Sequence, residues 1–335
     1  KSQAVGKNTI IDANSFEFDK KLNILEAKGN VEIKDLIRDI NIISQSATYL
    51  LDKEIIFTKS KSQAVGKNTI IDANSFEFNK KLNILEAKGN VKIDDNTNKL
   101  ILFSENVLYL INKEKFYSKK KSEAFYEKLN IKAKEFEYNK NLNILNAYKN
   151  VIIDDKINDV QILTENITYF KNIEKIITQG KTNSIVEKKY NFKSQDTELL
   201  RNENKLSSAH KTTIEDDDYN YYKLDNFIYL INNKNLKGNN VEIITNYKKE
   251  KSDNFIFTNG IFNLEDKEFA GKNTKVFLHN NIFKKEKEKF LELIGKTEIN
   301  KLVNEKKIFE NEPRLYGVSS IGDKNKTVVK KGIFT

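Results

Sequence analysis

The chain of 335 residues contains no cysteine. Disulfides, thiolate zinc centres and thiol redox chemistry are therefore excluded. It has a single proline, Pro313, and only 12 glycines. No Pro-, Gly- or Ser-rich linker interrupts it, so a continuous structure is expected rather than beads on a string. No apolar run approaches the roughly 20 residues of a membrane helix. Methionine is missing as well, and the chain begins at Lys1. It reads as a fragment without its natural start, in which the lack of a visible signal peptide decides nothing.

Arginine is scarce, at Arg38, Arg201 and Arg314 only, so nearly all of the 58 basic residues are lysine. Against 48 acidic residues they leave a net charge of +10. A basic balance invites a nucleic-acid or membrane reading. Here the lysines are spread along the chain instead of forming a patch, and Lys, Asn and Ile dominate throughout, as a genome-wide bias would produce. A solvated surface is the better reading. His210 and His279 are the only histidines, far apart and without a partner motif. No phosphate-binding glycine loop, Ser/His/Asp arrangement or zincin motif occurs. No catalytic residue, cofactor or metal ligand is indicated, and an enzyme is not expected.

Repetition dominates what is present. The stretch KSQAVGKNTIIDANSFEFDKKLNILEAKGNVEIKD starts at Lys1 and returns at Lys61 with three changes, Asp19/Asn79, Glu32/Lys92 and Lys34/Asp94. A diverged third copy starts at Lys121 and a worn fourth near Lys181. The third keeps Ala133, Phe136 and Tyr138 where the first has Ala13, Phe16 and Phe18. Each copy divides again. Ala13, Phe16, Phe18, then Leu25 and Ala27, are echoed by Ser44, Ala47, Tyr49, then Ile56 and Thr58. The basic unit is thus about 30 residues, a length typical of stacked supersecondary modules, and about nine would fill residues 1–283.

Within a unit the apolar period is two. Leu25, Ala27, Gly29, Val31 and Ile33 alternate with Glu26, Lys28, Asn30 and Glu32, the pattern of a strand with one buried face. Asp19-Lys20-Lys21 and its copies read as hairpin turns. Acidic pairs, Asp94-Asp95 and Asp154-Asp155, close the following strands. The run Glu215–Asp218 matches them in position, which favours a solvated turn over a calcium site. Only KKEKEKFLELIGK, at 284–296, hints at a short helix or loop. Short turns favour antiparallel pairing, and one apolar face per strand demands a second to cover it. The expected fold is all-β, a repetitive antiparallel jelly-roll or open β-sandwich. If each unit adds one strand to each sheet at ~4.8 Å spacing, nine units extend roughly 40–45 Å.

The pattern Ile11, Ala13, Phe16, Phe18, turn, Leu25, Ala27, Gly29, Asn30, Val31, Ile33 resembles the OstA-like repeat of lipopolysaccharide-transport proteins. That repeat is shared by the bridge protein LptA and the N-terminal domain of the outer-membrane translocon LptD. The segment Pro313, Arg314, Gly317, Val318, Ser319, Ser320 is similar to the join between jelly-roll and barrel in the LptD family. The resemblance implies a repetitive region over 1–283 and a junction segment over 284–335 leading to a barrel absent from this sequence. It implies non-enzymatic transport of lipopolysaccharide at the periplasmic face of the outer membrane of a Gram-negative bacterium. Implied partners are lipopolysaccharide, an LptA-like bridge protein joined by edge-strand addition, and an LptE-like lipoprotein with the LptD barrel.

For the lining of a lipid groove, the recurring aromatics Phe18, Tyr49, Phe78, Tyr109, Tyr138, Tyr169 and Tyr229, with Phe16, Phe76 and Phe136, are the candidates. Periodic aromatics most often pack a core, and a groove is a core that opens, so the two readings overlap. The competing class is a structural or adhesin-like β-solenoid with a dry interior. A nucleic-acid binder would need these rings on an exposed basic face, whereas they alternate into the expected buried one.

Overall fold

The computed structural model describes residues 2–248, 252–278 and 314–334. Among them there is no α-helix, and no helix is long and apolar enough to cross a membrane. The chain divides into two compact units, Lys1–Thr178 and Gln179–Thr335.

In the first unit the first repeat forms β1 (Ser2–Val5), β2 (Thr9–Ala13), β3 (Ser15–Asp19), β4 (Ile24–Asp35), β5 (Ile40–Leu50) and β6 (Ile55–Thr58). The second forms β7 (Ser62–Gly66), β8 (Thr69–Ala73), β9 (Ser75–Asn79), β10 (Ile84–Asp95), β11 (Leu100–Leu110) and β12 (Lys115–Lys119). The third forms β13 (Ser122–Tyr126), β14 (Leu129–Ala133), β15 (Glu135–Asn139), β16 (Ile144–Asp155) and β17 (Val160–Phe170). β18 (Lys175–Val186) follows.

The long strands belong to two sheets at once. The first half of β4 pairs with β3 and its second half with β2, while β5 lies along both halves. The crossing point is Gly29-Asn30, where the register slips between Lys28 and Val31. Both residues take left-handed φ, +77° and +47°. A side chain at position 29 would also lie 2.6 Å from Asn14 Nδ2. The Gly-Asn-Val element is therefore a bulge that bends the strand from one sheet into the other. In the third copy Lys149 and Asn150 hold the same conformation, at +67° and +56°.

One sheet of the first unit thus runs β1, β2, β4, β5, β7, β8, β10, β11, β13, β14, β16, β17. The other runs β3, β4, β5, β6, β9, β10, β11, β12, β15, β16, β17. All pairings are antiparallel, and the fold is a repetitive β-jelly-roll. Each half-repeat adds two strands to each sheet, not the one assumed from sequence. The difference arises because a strand of 11 or 12 residues bends at the corner and serves both layers.

The bent corner leaves backbone groups that neither ladder uses, and small hydroxyls satisfy them. Thr58 Oγ1 accepts from the Phe76 amide at 2.8 Å and from Ser62 Oγ at 2.9 Å. Ser118 Oγ accepts from the Phe136 amide at 3.0 Å and lies 2.8 Å from Ser122 Oγ. Each buried donor would otherwise forfeit its hydration, a cost of about 1–3 kcal/mol.

The second unit repeats the plan with β19 (Tyr190–Gln195), β20 (Glu198–Leu200), β21 (Lys205–Ser208), β22 (Thr212–Glu215), β23 (Tyr221–Leu224) and β24 (Asn226–Leu230). Then come β25 (Asn235–Ile244), β26 (Asn254–Asn263), β27 (Phe269–Phe277), β28 (Arg314–Gly322), β29 (Thr327–Lys330) and β30 (Ile333–Phe334). β28 pairs along its length with β27, from Phe269 opposite Gly322 to Phe277 opposite Arg314. Pro313, His279 and the 284–296 run lie outside the described residues.

Candidate functional site

Register places the recurring aromatics on a single line. Across the second sheet of the first unit, Phe18, Leu25, Tyr49, Ile56, Phe78, Leu85, Tyr109, Phe116, Tyr138, Leu145 and Tyr169 sit directly opposite one another in turn. Phe16, Phe76 and Phe136 begin each cycle of a parallel line, in which Ala27, Ala47, Ala87 and Ala147 are the small members. These lines face the interior. Phe76, Phe78, Tyr109, Phe136, Tyr138 and Tyr169 are between 0 and 7% exposed.

Phe18 departs from the set at 48% exposure, and Phe16 and Tyr49 are half-buried. Phe78 occupies the same sequence context but for Asn79 in place of Asp19, yet β9 is covered by β6 on the side where β3 has no partner among the described residues. Phe116, stacked on Tyr109 at 4.2 Å between ring centroids, belongs to the same line. Its offset within the half-repeat matches Ile56, a signal present in the sequence but aliphatic in the neighbouring copy.

The line is polar at one end of its rings. Tyr109 OH donates to Glu114 at 2.9 Å, and Tyr169 OH to Glu174 at 3.0 Å. The corresponding position after Tyr229 is Lys234, and the buried Tyr229 hydroxyl has no hydrogen-bond partner. Burial first, then the neighbouring carboxylates, hold the Tyr109 phenol well above its ordinary value. Tyr109→Phe is expected to cost about 2 kcal/mol, because it strips a charge-assisted bond, whereas Tyr229→Phe should be neutral or mildly stabilising. Denaturant titration of the two variants makes the comparison; equal losses would contradict the assigned contacts.

The acids thought to close solvated turns are instead buried. Asp35, Asp95, Asp155 and Asp216 are 0–3% exposed. Their carboxylates accept turn amides, as Asp95 does from Thr97 at 3.1 Å and Asn98 at 3.3 Å. They also reach the opposite sheet: Tyr138 OH donates to Asp95 at 2.6 Å. A turn that must satisfy its own amides inside the protein needs an acceptor there, which sequence spacing alone does not reveal. Within 215–218 only Asp217 and Asp218 are exposed. The three aspartates are near enough to one another to hold an ion. The Lys267 ammonium, however, lies 2.7 Å from Asp216 and 3.2 Å from Asp218, supplying the positive charge itself. His210 is exposed and sits 3.3 Å from Asp196.

The second unit differs in its interior. Gly238, Gly260 and Gly271 lie opposite one another, followed by Ser320. A Cβ at Gly260 would stand 2.2 Å from the Phe262 ring, and one at Gly271 2.1 Å from the Phe257 ring. The glycines let these rings lie against the sheet. Beside them is a cavity of about 310 Å³ whose walls include Tyr222, Phe255, Phe257, Phe262 and Phe269. Tyr229 is buried on the adjoining line, opposite Leu236, which in turn faces Phe262. Of the junction motif, Ser320 is buried and shares a 2.6 Å hydrogen bond with Thr274, and Gly317 leaves room for Val329. Val318 is exposed, Ser319 pairs with Lys330, and the Arg314 guanidinium lies over the Phe277 ring.

These features define a class: a repetitive β-jelly-roll whose first unit carries an uninterrupted apolar line between its sheets. Residues 2–95 match the family model described as lipopolysaccharide-assembly, LptC-related. No curated protein matches the chain. Among solved structures, it is similar to LptH of Pseudomonas aeruginosa, the LptA-homologous periplasmic component of the lipopolysaccharide transport device. The identity is 15%, over 42% of this chain and 81% of that one, with a TM-score of 0.20. At that score the superposition adds nothing to the strand pairings given above.

Proposed function

We propose that the protein carries lipopolysaccharide without chemistry of its own, holding acyl chains between its two sheets. The observation that carries this reading is the unbroken inward line from Phe18 to Tyr169 in the first unit, together with the family match over 2–95. Burial of apolar chains is favourable by about 25 cal/mol per Å², and a repeated lining offers similar affinity at successive points. Net movement along such a lane needs a driving force from elsewhere.

The repeat and the family match over 2–95 support a place in the periplasm of a Gram-negative bacterium. Arg314–Ser320, with its likeness to the LptD junction, supports a place at the outer membrane beside a barrel and an LptE-like lipoprotein. An edge strand supports addition of an LptA-like bridge protein. The complete burial of Phe78 and Tyr138 favours a second reading, a structural β-solenoid that binds no lipid. Protein purified from lipopolysaccharide-producing cells is expected to retain lipopolysaccharide and to rebind it after delipidation. Failure of both, with the fold intact, would leave the structural reading.

A further inference from the structure

The long strands turn back at two sets of hairpins, one at the far end of each sheet from the bent corner. In the first unit the Asp35 and Asp95 turns end one sheet and the Lys80 and Lys140 turns the other; in the second unit the Asp216 and Lys267 turns do the same. In each unit, the side of the sandwich opposite the corner is therefore a mouth between two rows of turns. Among the described residues no strand crosses it. It is closed by side chains instead.

Those closures recur. Lys80, buried in the β9–β10 turn, has its ammonium 3.6 Å from Asp35 and bonded to Thr9 Oγ1 across the mouth. Arg38 donates from the first row to the Lys80 carbonyl and to Asn83. One repeat on, Lys140 bonds Thr69 Oγ1 at 2.6 Å and the Lys67 carbonyl at 2.8 Å. Within the second unit, Lys234 pairs with Glu187, and Lys267 with Asp216. Four lysines of the second-row turns, two in each unit, thus grip the first row.

We propose that these lysines are a lateral latch, and that the mouth they close is the route by which an amphiphile enters the lane sideways. The proposal rests on the transport reading and names how its site is opened. The corner cannot part without breaking strands, since each long strand runs through it. The mouth parts when a few charge-assisted bonds are exchanged for water and the lysines are freed. An acyl chain then reaches the Phe78 and Tyr138 line while its polar head stays among the turns. The same ammonium groups that release the carboxylates face that head.

The absence of native cysteine allows a direct test. Leu36 and Leu82 are exposed residues, one in each row of turns. Joining Leu36→Cys to Leu82→Cys with a short bis-maleimide locks the mouth locally, and cysteines placed at both neighbouring steps extend the lock. The locked protein is expected to take up fluorescent lipopolysaccharide at least tenfold more slowly than the same variant left unjoined. Lys80→Gln should act oppositely, speeding uptake by about tenfold through loss of one charge-assisted bond. Its far-ultraviolet circular dichroism reports whether it remains folded. Unchanged uptake in the fully locked protein would overturn the latch and leave transport standing, with entry from an end. No uptake by the unjoined protein would instead remove the transport reading.

Discussion

Asp95→Ala is expected to destabilise the first unit by about 3 kcal/mol or more, whereas Asp94→Ala next to it should change stability by no more than about 0.5 kcal/mol. The two aspartates are adjacent in sequence and opposite in environment. Asp95 is fully buried and receives Asn98 Nδ2 at 2.8 Å, Tyr138 OH at 2.6 Å and two turn amides. Removing its carboxylate orphans the Tyr138 hydroxyl and the two turn amides, while Asn98 Nδ2 keeps the Tyr138 oxygen and the Lys140 carbonyl as acceptors. Asp94 points outward, with Lys92 at 3.3 Å in a half-exposed pair of the kind that contributes little. Urea denaturation of both variants measures the difference. Similar losses would mean that the turn acids act only at the surface.

A second large effect should appear in alkali. Tyr109 and Tyr138 in the first unit have phenols held well above their ordinary value, chiefly by burial and then by Glu114 and Asp95 respectively. Burial raises Tyr190, Tyr222 and Tyr229 in the second. Below the unfolded phenol value of 10.0 both states keep the proton, and this contribution to stability is fully present. Above it the unfolded chain loses protons that the folded chain retains, so stability falls as pH rises toward the folded values. Each such tyrosine contributes about 1.4 kcal/mol per pH unit, so the pair in the first unit alone should remove about 3 kcal/mol per unit. Thermal melting across this range, with phenolate absorbance as the second readout, is the check. Phenolate appearing before unfolding would show that the rings are accessible to water.

Much of the fold is legible in the sequence. The half-repeat offset that aligned Phe18 with Tyr49 and Phe78 with Tyr109 is the interval between successive turns of the sheet, and register sets those residues on one line. The Asp19-Lys20-Lys21 turn joins β3 to β4 as its polarity indicates. Less readable was what period two conceals at a bend. β4 keeps its alternation through Gly29-Asn30, but β5 buries both Ser44 and Ala47, three residues apart, so one strand serves two sheets.

The site was legible in its apolar part and hidden in its polar part. Alternation announces which rings point inward, because hydrophobicity is a property of single residues. The buried aspartates look like ordinary turn acids, because their burial depends on lysines and tyrosines roughly one repeat away in sequence. The exchange of glutamate for Lys234 after Tyr229 needs the structure to show its meaning: a hydroxyl without an acceptor, and a lysine that turns to Glu187. Gly260 and Gly271 carry no pattern of their own, and only the Phe262 and Phe257 rings above them explain their small size.

The most direct measurement is photo-crosslinking with benzoylphenylalanine placed, one position at a time, at Phe78, Tyr109, Tyr138 and Tyr169 and at their outward neighbours Glu77, Leu108, Glu137 and Thr168. In cells making lipopolysaccharide, adducts should form at the four inward positions and not at the four outward ones. Adducts at both sets alike, or at the outward set alone, would contradict a lipid lane between the sheets.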